Sequence, residues 1–184
     1  MKIPVTTIRL PTRPAREYES RFDREQSLLK MLAIPIASVA IASMITALPI
    51  FTKEPLLPPL GLLMFLSWRL MRPGLLPVWS GVPFGLMDDV FSGQPFGSAG
   101  LLWSLAMLSI EIIDARAIWR DHLQDWIIAA ILIAAVLLGG LWIAGMAHAA
   151  PDPAVLIPQI ILSILLYPLA VRICARLDNW RLAT

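Results

Sequence analysis

The stretch Gly81-Val82-Pro83-Phe84-Gly85-Leu86-Met87-Asp88-Asp89-Val90-Phe91-Ser92-Gly93-Gln94-Pro95-Phe96-Gly97 governs the reading of this chain. Small residues or Asp recur at every fourth position: Gly81, Gly85, Asp89, Gly93 and Gly97. On a helix, four residues advance about 400°, so Gly81, Gly85 and Asp89 share one face. Glycines at that spacing let a second helix backbone come close. Gly93 to Gly97 then fits a tight turn into another helix, with Pro95 helping to break the first. The stretch therefore predicts a helix hairpin with a packed face and a carboxylate at its outer end. Asp88 projects about 100° away from Asp89, which suits neither a catalytic dyad nor a metal pair. A carboxylate at membrane depth costs roughly 2.5–3.5 kcal/mol at a helix centre. Asp89 is open to two readings: a partner or transport contact, or a cap hydrogen-bonding backbone N–H groups around Ser92 to Gly97.

The sequence on either side is that of a membrane protein. The 184 residues are 58% hydrophobic and 15% charged, with a mean hydropathy of +0.72. Soluble domains lie near 45–50% apolar and about 25% charged. At roughly 20 residues per span, about six spans leave only short loops and no separate soluble domain. They fall near Met31–Phe51, Pro55–Leu70, Leu75–Phe91, Phe96–Ile113, Trp126–Ala147 and Ala154–Ile173. The second, third and fourth are short or polar for independent insertion and are read as a cooperative group whose neighbours cover exposed backbone. The same covering tolerates Pro35, Pro77, Pro83, Pro158 and Pro168 inside spans. The domain reading is a charged tail over 1–27, a six-helix membrane domain over 28–176 and a second tail over 177–184. The first tail lacks the early apolar core of a secretory signal. Ala15 to Lys30 suits either an interfacial helix or a disordered tail.

Orientation follows from Lys and Arg. With six spans, every one of the 15 basic residues except Lys53 falls on one side, which is read as cytoplasmic and carries both termini. Trp68, Trp119, Trp126 and Trp180 sit near the same ends, as amphipathic rings should.

Little else suggests chemistry. Cys174 is the only cysteine, which excludes an internal disulfide and a Cys-cluster metal site. His122 and His148 are far apart and have no matching ligand set. Glu111 and Asp114, one turn apart before Arg116 and Arg120, read as a salt-bridged helix end rather than a proton relay. No phosphate loop, nucleophile elbow or Cys–His pair is present. Span five is rich in small residues, including Ala129, Ala134, Gly139, Gly140 and Gly145. This fits a helix packed on more than one side, or a plain alanine-rich span.

Gly85, Asp89, Ser92, Gly93 and Gly97, with Gly81 one turn earlier, resemble the motif of the rod shape-determining protein MreD family. Asp88 stands where that family usually has an apolar residue. Pro58 with its apolar run to Trp68, and Tyr167-Pro168 before a basic C-terminus, are similar to the family's second and last spans. The resemblance covers roughly Met31 to Arg176. It implies a non-catalytic, multi-pass inner-membrane protein without cofactors, whose motif residues serve structure and partner contact. Its fold is similar to the six-helix substrate-binding subunits of energy-coupling factor transporters. The implied partners are an MreC-like bitopic protein, other elongation-complex proteins (the shape-determining glycosyltransferase and class B penicillin-binding protein among them), membrane lipid and a further copy of the chain, but no nucleic acid. The alternative implied by the fold is a small-molecule-binding transport subunit.

Overall fold

The computed structural model describes residues 21–47, 57–92, 95–116, 121–147 and 153–183, with side chains in the first helix described from Leu32 onward. Among them are six α-helices: α1 Arg21–Ala47, α2 Leu60–Met71, α3 Gly81–Ser92, α4 Ser98–Arg116, α5 His122–Ala147 and α6 Ile157–Ala183. Single 3-10 turns at Val78–Ser80 and Pro153–Leu156 lead into α3 and α6. No strand occurs among the described residues.

Three helices, α4, α5 and α6, are long and apolar enough to cross a membrane. Helices α2 and α3 have 12 residues each. At 1.5 Å per residue each extends about 18 Å, short of the roughly 30 Å hydrocarbon layer. What makes α2 viable is its position. Every residue from Gly61 to Leu70 is buried. A helix that is apolar all round belongs inside a protein, where neighbours rather than lipid cover it. Helices α1 and α6 pack along α2. Phe65 stacks on Trp103 of α4 with ring centroids 5.1 Å apart, and meets Phe84 of α3 at 5.5 Å. The buried core is built outward from this axis by Trp68, Met107, Ile110, Ile133 and Val39.

Several boundaries differ from the sequence reading for identifiable reasons. The third span is not one helix from Leu75. Pro73 and Gly74, the latter at φ +88°, close the end of α2. The backbone N–H of Leu75 returns to the Arg72 carbonyl, Pro77 is extended, and α3 begins only at Gly81. Pro83 then lies in the first turn of α3, where a missing N–H removes no helical bond. Helix α1 is described from Arg21, within the charged tail, residues 1–20 lying outside the described residues, and α6 continues to Ala183, past the expected end of its span. The first span was expected to reach Phe51; α1 is described to Ala47, and 48–56 lie outside the described residues.

Pro168 lies inside α6. It has no N–H to donate, so the carbonyl of Ile164 one turn earlier loses its helical partner. The Trp126 indole Nε1 donates to that oxygen at 3.2 Å. Trp126, read from sequence as an interfacial ring, therefore also repairs a break in the neighbouring helix.

Candidate functional site: the Asp89 hairpin and the basic end of the bundle

Helices α3 and α4 form the most extensive helix pair. Their closeness depends on glycine. A side-chain carbon added at Gly85 would lie 2.5 Å from the Ala99 carbonyl oxygen and the Gly100 nitrogen. One at Gly81 would lie 2.8 Å from the backbone of Ser104. Backbone cannot move aside as a flexible side chain does, so both positions exclude a side chain. The face shared by Gly81, Gly85 and Asp89 is thus the face that meets α4.

Asp89, 3% exposed, ends this seam. One carboxylate oxygen, Oδ2, accepts the backbone N–H of Gly97 at 2.8 Å and lies 3.4 Å from that of Gly100. The other, Oδ1, accepts the Ala99 N–H at 2.9 Å and the Ser98 hydroxyl at 3.0 Å. The first N–H groups of a helix have no partner within it and form the positive end of its dipole. Asp89 supplies acceptors and negative charge to that end of α4 from a different helix. Gly97 makes the approach possible by turning at φ +96°, a conformation that L side chains rarely adopt. The bonded groups, 97–100, lie further along than the Ser92–Gly97 range expected from sequence. The unpaired N–H groups belong to the first turn of α4, and the carboxylate reaches across the turn to them. Ser92 is exposed at the end of α3, and Gly93 lies outside the described residues.

Asp88 faces elsewhere. Its Oδ1 lies 3.1 Å from where a Gly61 side-chain carbon would stand, and Ser43 Oγ occupies that same space. Asp88 therefore belongs to a junction of α1, α2 and α3, and Gly61 leaves room for both polar groups. The sequence reading saw that Asp88 leaves the glycine face but did not see that it enters a second packed face.

At the opposite end, buried charges are paired between helices. Arg69 of α2, 3% exposed, meets Glu111 at 2.5 Å and Asp114 at 3.1 Å, both from α4. The acidic pair was expected to belong with the Arg116 and Arg120 that follow it. Arg69, brought in by the burial of α2, meets both acids, while Arg116 is exposed and Arg120 lies outside the described residues. Arg72 bonds Asp178 of α6 through Nε at 2.9 Å and Nη2 at 2.6 Å. Arg181 meets the same carboxylate at 2.5 Å, with its guanidinium carbon 5.9 Å from the Trp68 ring centre. No sequence spacing joins Arg69 to Glu111 or Arg72 to Asp178; Arg181 is three residues from Asp178 on α6, but the cluster as a whole was not anticipated. Cys174 is buried against Met64. His122 is exposed at the start of α5, and His148 lies outside the described residues. No group of three or more metal-ligating side chains occurs among the described residues.

Helix α5, singled out by its small residues, packs on both α4 and α6. Gly139 faces Leu102, while Ile127, Ile131, Leu138 and Trp142 remain exposed.

No curated protein and no solved structure matches the chain. The family model of the rod shape-determining protein MreD matches residues 25–176, which include the seam, the Asp89 cap and the Arg69 ion pairs. A match over most of the chain fixes its membership: this membrane protein belongs to the MreD family of rod shape-determining proteins.

Proposed function

We propose that the chain is a non-catalytic scaffold of the machinery that elongates rod-shaped bacterial cells. In this reading it lies in the inner membrane with six spans and both termini cytoplasmic. It binds an MreC-like single-span protein and helps steer lateral peptidoglycan synthesis, alongside other elongation-complex proteins. The observation that carries the reading is the family match over residues 25–176. The disposition of polar groups supports it. Asp89, Arg69 and Asp178 all bind other helices of the same chain, as befits a framework.

A small-molecule capture subunit with an energy-coupling-factor-like fold is the alternative. It requires a pocket with convergent polar groups. The cavity of about 460 Å³ between α1, α2 and α6 is walled by aliphatic side chains such as Ile41, Leu63 and Ile173. Its one hydroxyl, Ser38 Oγ, is engaged with the Pro35 carbonyl and the Trp68 indole. This wall favours the scaffold.

The test is copurification of the tagged chain from native membrane, with bound proteins and small molecules identified. The scaffold reading expects a single-span partner with a large part outside the cytoplasm. Stoichiometric recovery of a small metabolite without such a partner would favour the transport subunit.

A further inference from the structure

A second cavity, of about 350 Å³, lies where three helices meet at the basic end. Leu70 and Met71 at the end of α2, and Val171 on α6, give it an apolar wall. Trp126 adds an aromatic wall, its indole anchored on the Ile164 carbonyl. The charged members are Asp125 in the first turn of α5 and Arg172 on α6, with His122 beside them. Arg172 is exposed, and no ion pair joins it to another described residue. Arg69, Arg72 and Arg181, by contrast, all have carboxylate partners.

We propose that this cavity binds the headgroup and upper acyl chain of an aminophospholipid, with Arg172 holding the phosphate and Asp125 the primary ammonium. The charge pattern selects this class. One fixed cation and one fixed anion match a zwitterion. A phosphoglycerol headgroup offers Asp125 hydroxyl donors but no cation, so it balances the charge of Arg172 alone. A trimethylated ammonium has no N–H to donate to a carboxylate. A carboxylate has about four lone-pair sites, so Asp125 accepts the ammonium while keeping its other contacts. The apolar wall distinguishes the lipid from its soluble headgroup, since O-phosphorylethanolamine has nothing to place against Leu70 and Met71. The volume lies in the roughly 300–1,000 Å³ range of small-molecule sites.

The experiment places the full chain in nanodiscs of phosphatidylcholine carrying equal fractions of phosphatidylethanolamine and phosphatidylglycerol, then reads retained lipid by native mass spectrometry. Phosphatidylethanolamine should be enriched over both other lipids. Arg172→Gln and Asp125→Asn should each lower its retention about fivefold, the upper effect of one partly exposed ion pair. Asp125→Asn should also erase the preference over phosphatidylcholine. Arg172→Lys should retain most binding, and Arg176→Gln, one turn along α6 and outside the cavity, should change nothing. Equal retention of the lipids by the unaltered chain, or enrichment of phosphatidylglycerol, overturns the assignment. So does unchanged retention in both Arg172→Gln and Asp125→Asn. Displacement of bound lipid by O-phosphorylethanolamine at comparable concentration would make the ligand a soluble headgroup, and would overturn the lipid assignment as well.

Discussion

Asp89 accepts hydrogen bonds from the Gly97, Ala99 and Gly100 N–H groups and the Ser98 hydroxyl, so its oxygens face donors only. An amide cannot replace it. In Asp89→Asn an NH2 group would face backbone N–H donors, and the cost of a buried unsatisfied group is about 1–3 kcal/mol. Asp88→Asn should cost less, because Asp88 is half-buried and Asn keeps its size beside Ser43 and Gly61. Thermal unfolding of the two variants in detergent, at matched membrane levels, makes the comparison. A greater loss from Asp88→Asn would mean that the wrong carboxylate carries the hairpin. Gly85→Leu should be more harmful than Asp89→Asn, since its new side chain meets α4 backbone. The four-residue spacing made Gly81, Gly85 and Asp89 legible as one face because helical geometry is local. The Ser43–Gly61–Asp88 junction was not legible, because it is made by three segments whose contact depends on how α2 is buried.

Helix α2 illustrates what pattern alone conceals. Its sequence, Leu60 to Met71, is apolar on every side apart from Ser67 and Arg69. That marks a buried helix, yet the sequence reading treated it as one short span among several. The ends of α4 and α5 were closer to expectation, because long apolar runs announce themselves, whereas α6 runs on past its apolar stretch to Ala183. Gly61→Ala tests the central position. The added methyl would collide with the Ser43 hydroxyl and crowd Asp88, an overpacking that costs typically 1–3 kcal/mol. It should lower the unfolding temperature, although Ala is otherwise the better helix former. An unchanged or raised midpoint would argue against the three-helix junction. The six-span proposal has its own measurement. Single cysteines at positions 53 and 152 should react with an impermeant reagent from outside intact cells, and those at 72 and 120 should not. External labelling at 72 would end the six-span reading.

In the molecule as a whole, the two ends are tied by different chemistry. One end uses a carboxylate against backbone donors, the other a set of ion pairs centred on Arg69 and Asp178. Breaking a buried pair is costly because it strands a charge. Glu111 is 53% exposed and Asp114 20%, so either acid alone should be partly dispensable. The double change Glu111→Gln with Asp114→Asn should reduce the membrane level of the chain by more than the two single changes combined. Simple additivity would show that Arg69 does not depend on the pair as a unit.

The enclosed position of α2 also constrains the order in which the molecule is made. Residues 60–71 leave the ribosome well before α4 and α6, which carry the acids for Arg69 and Arg72. During synthesis, the most buried helix is therefore the one that waits longest for its cover, too short to hold itself across the bilayer and carrying an arginine that lipid does not welcome. The cellular insertion machinery must shelter it until the last helix arrives. A chain stopped after α5 should remain crosslinked to that machinery through α2, whereas the full chain is released.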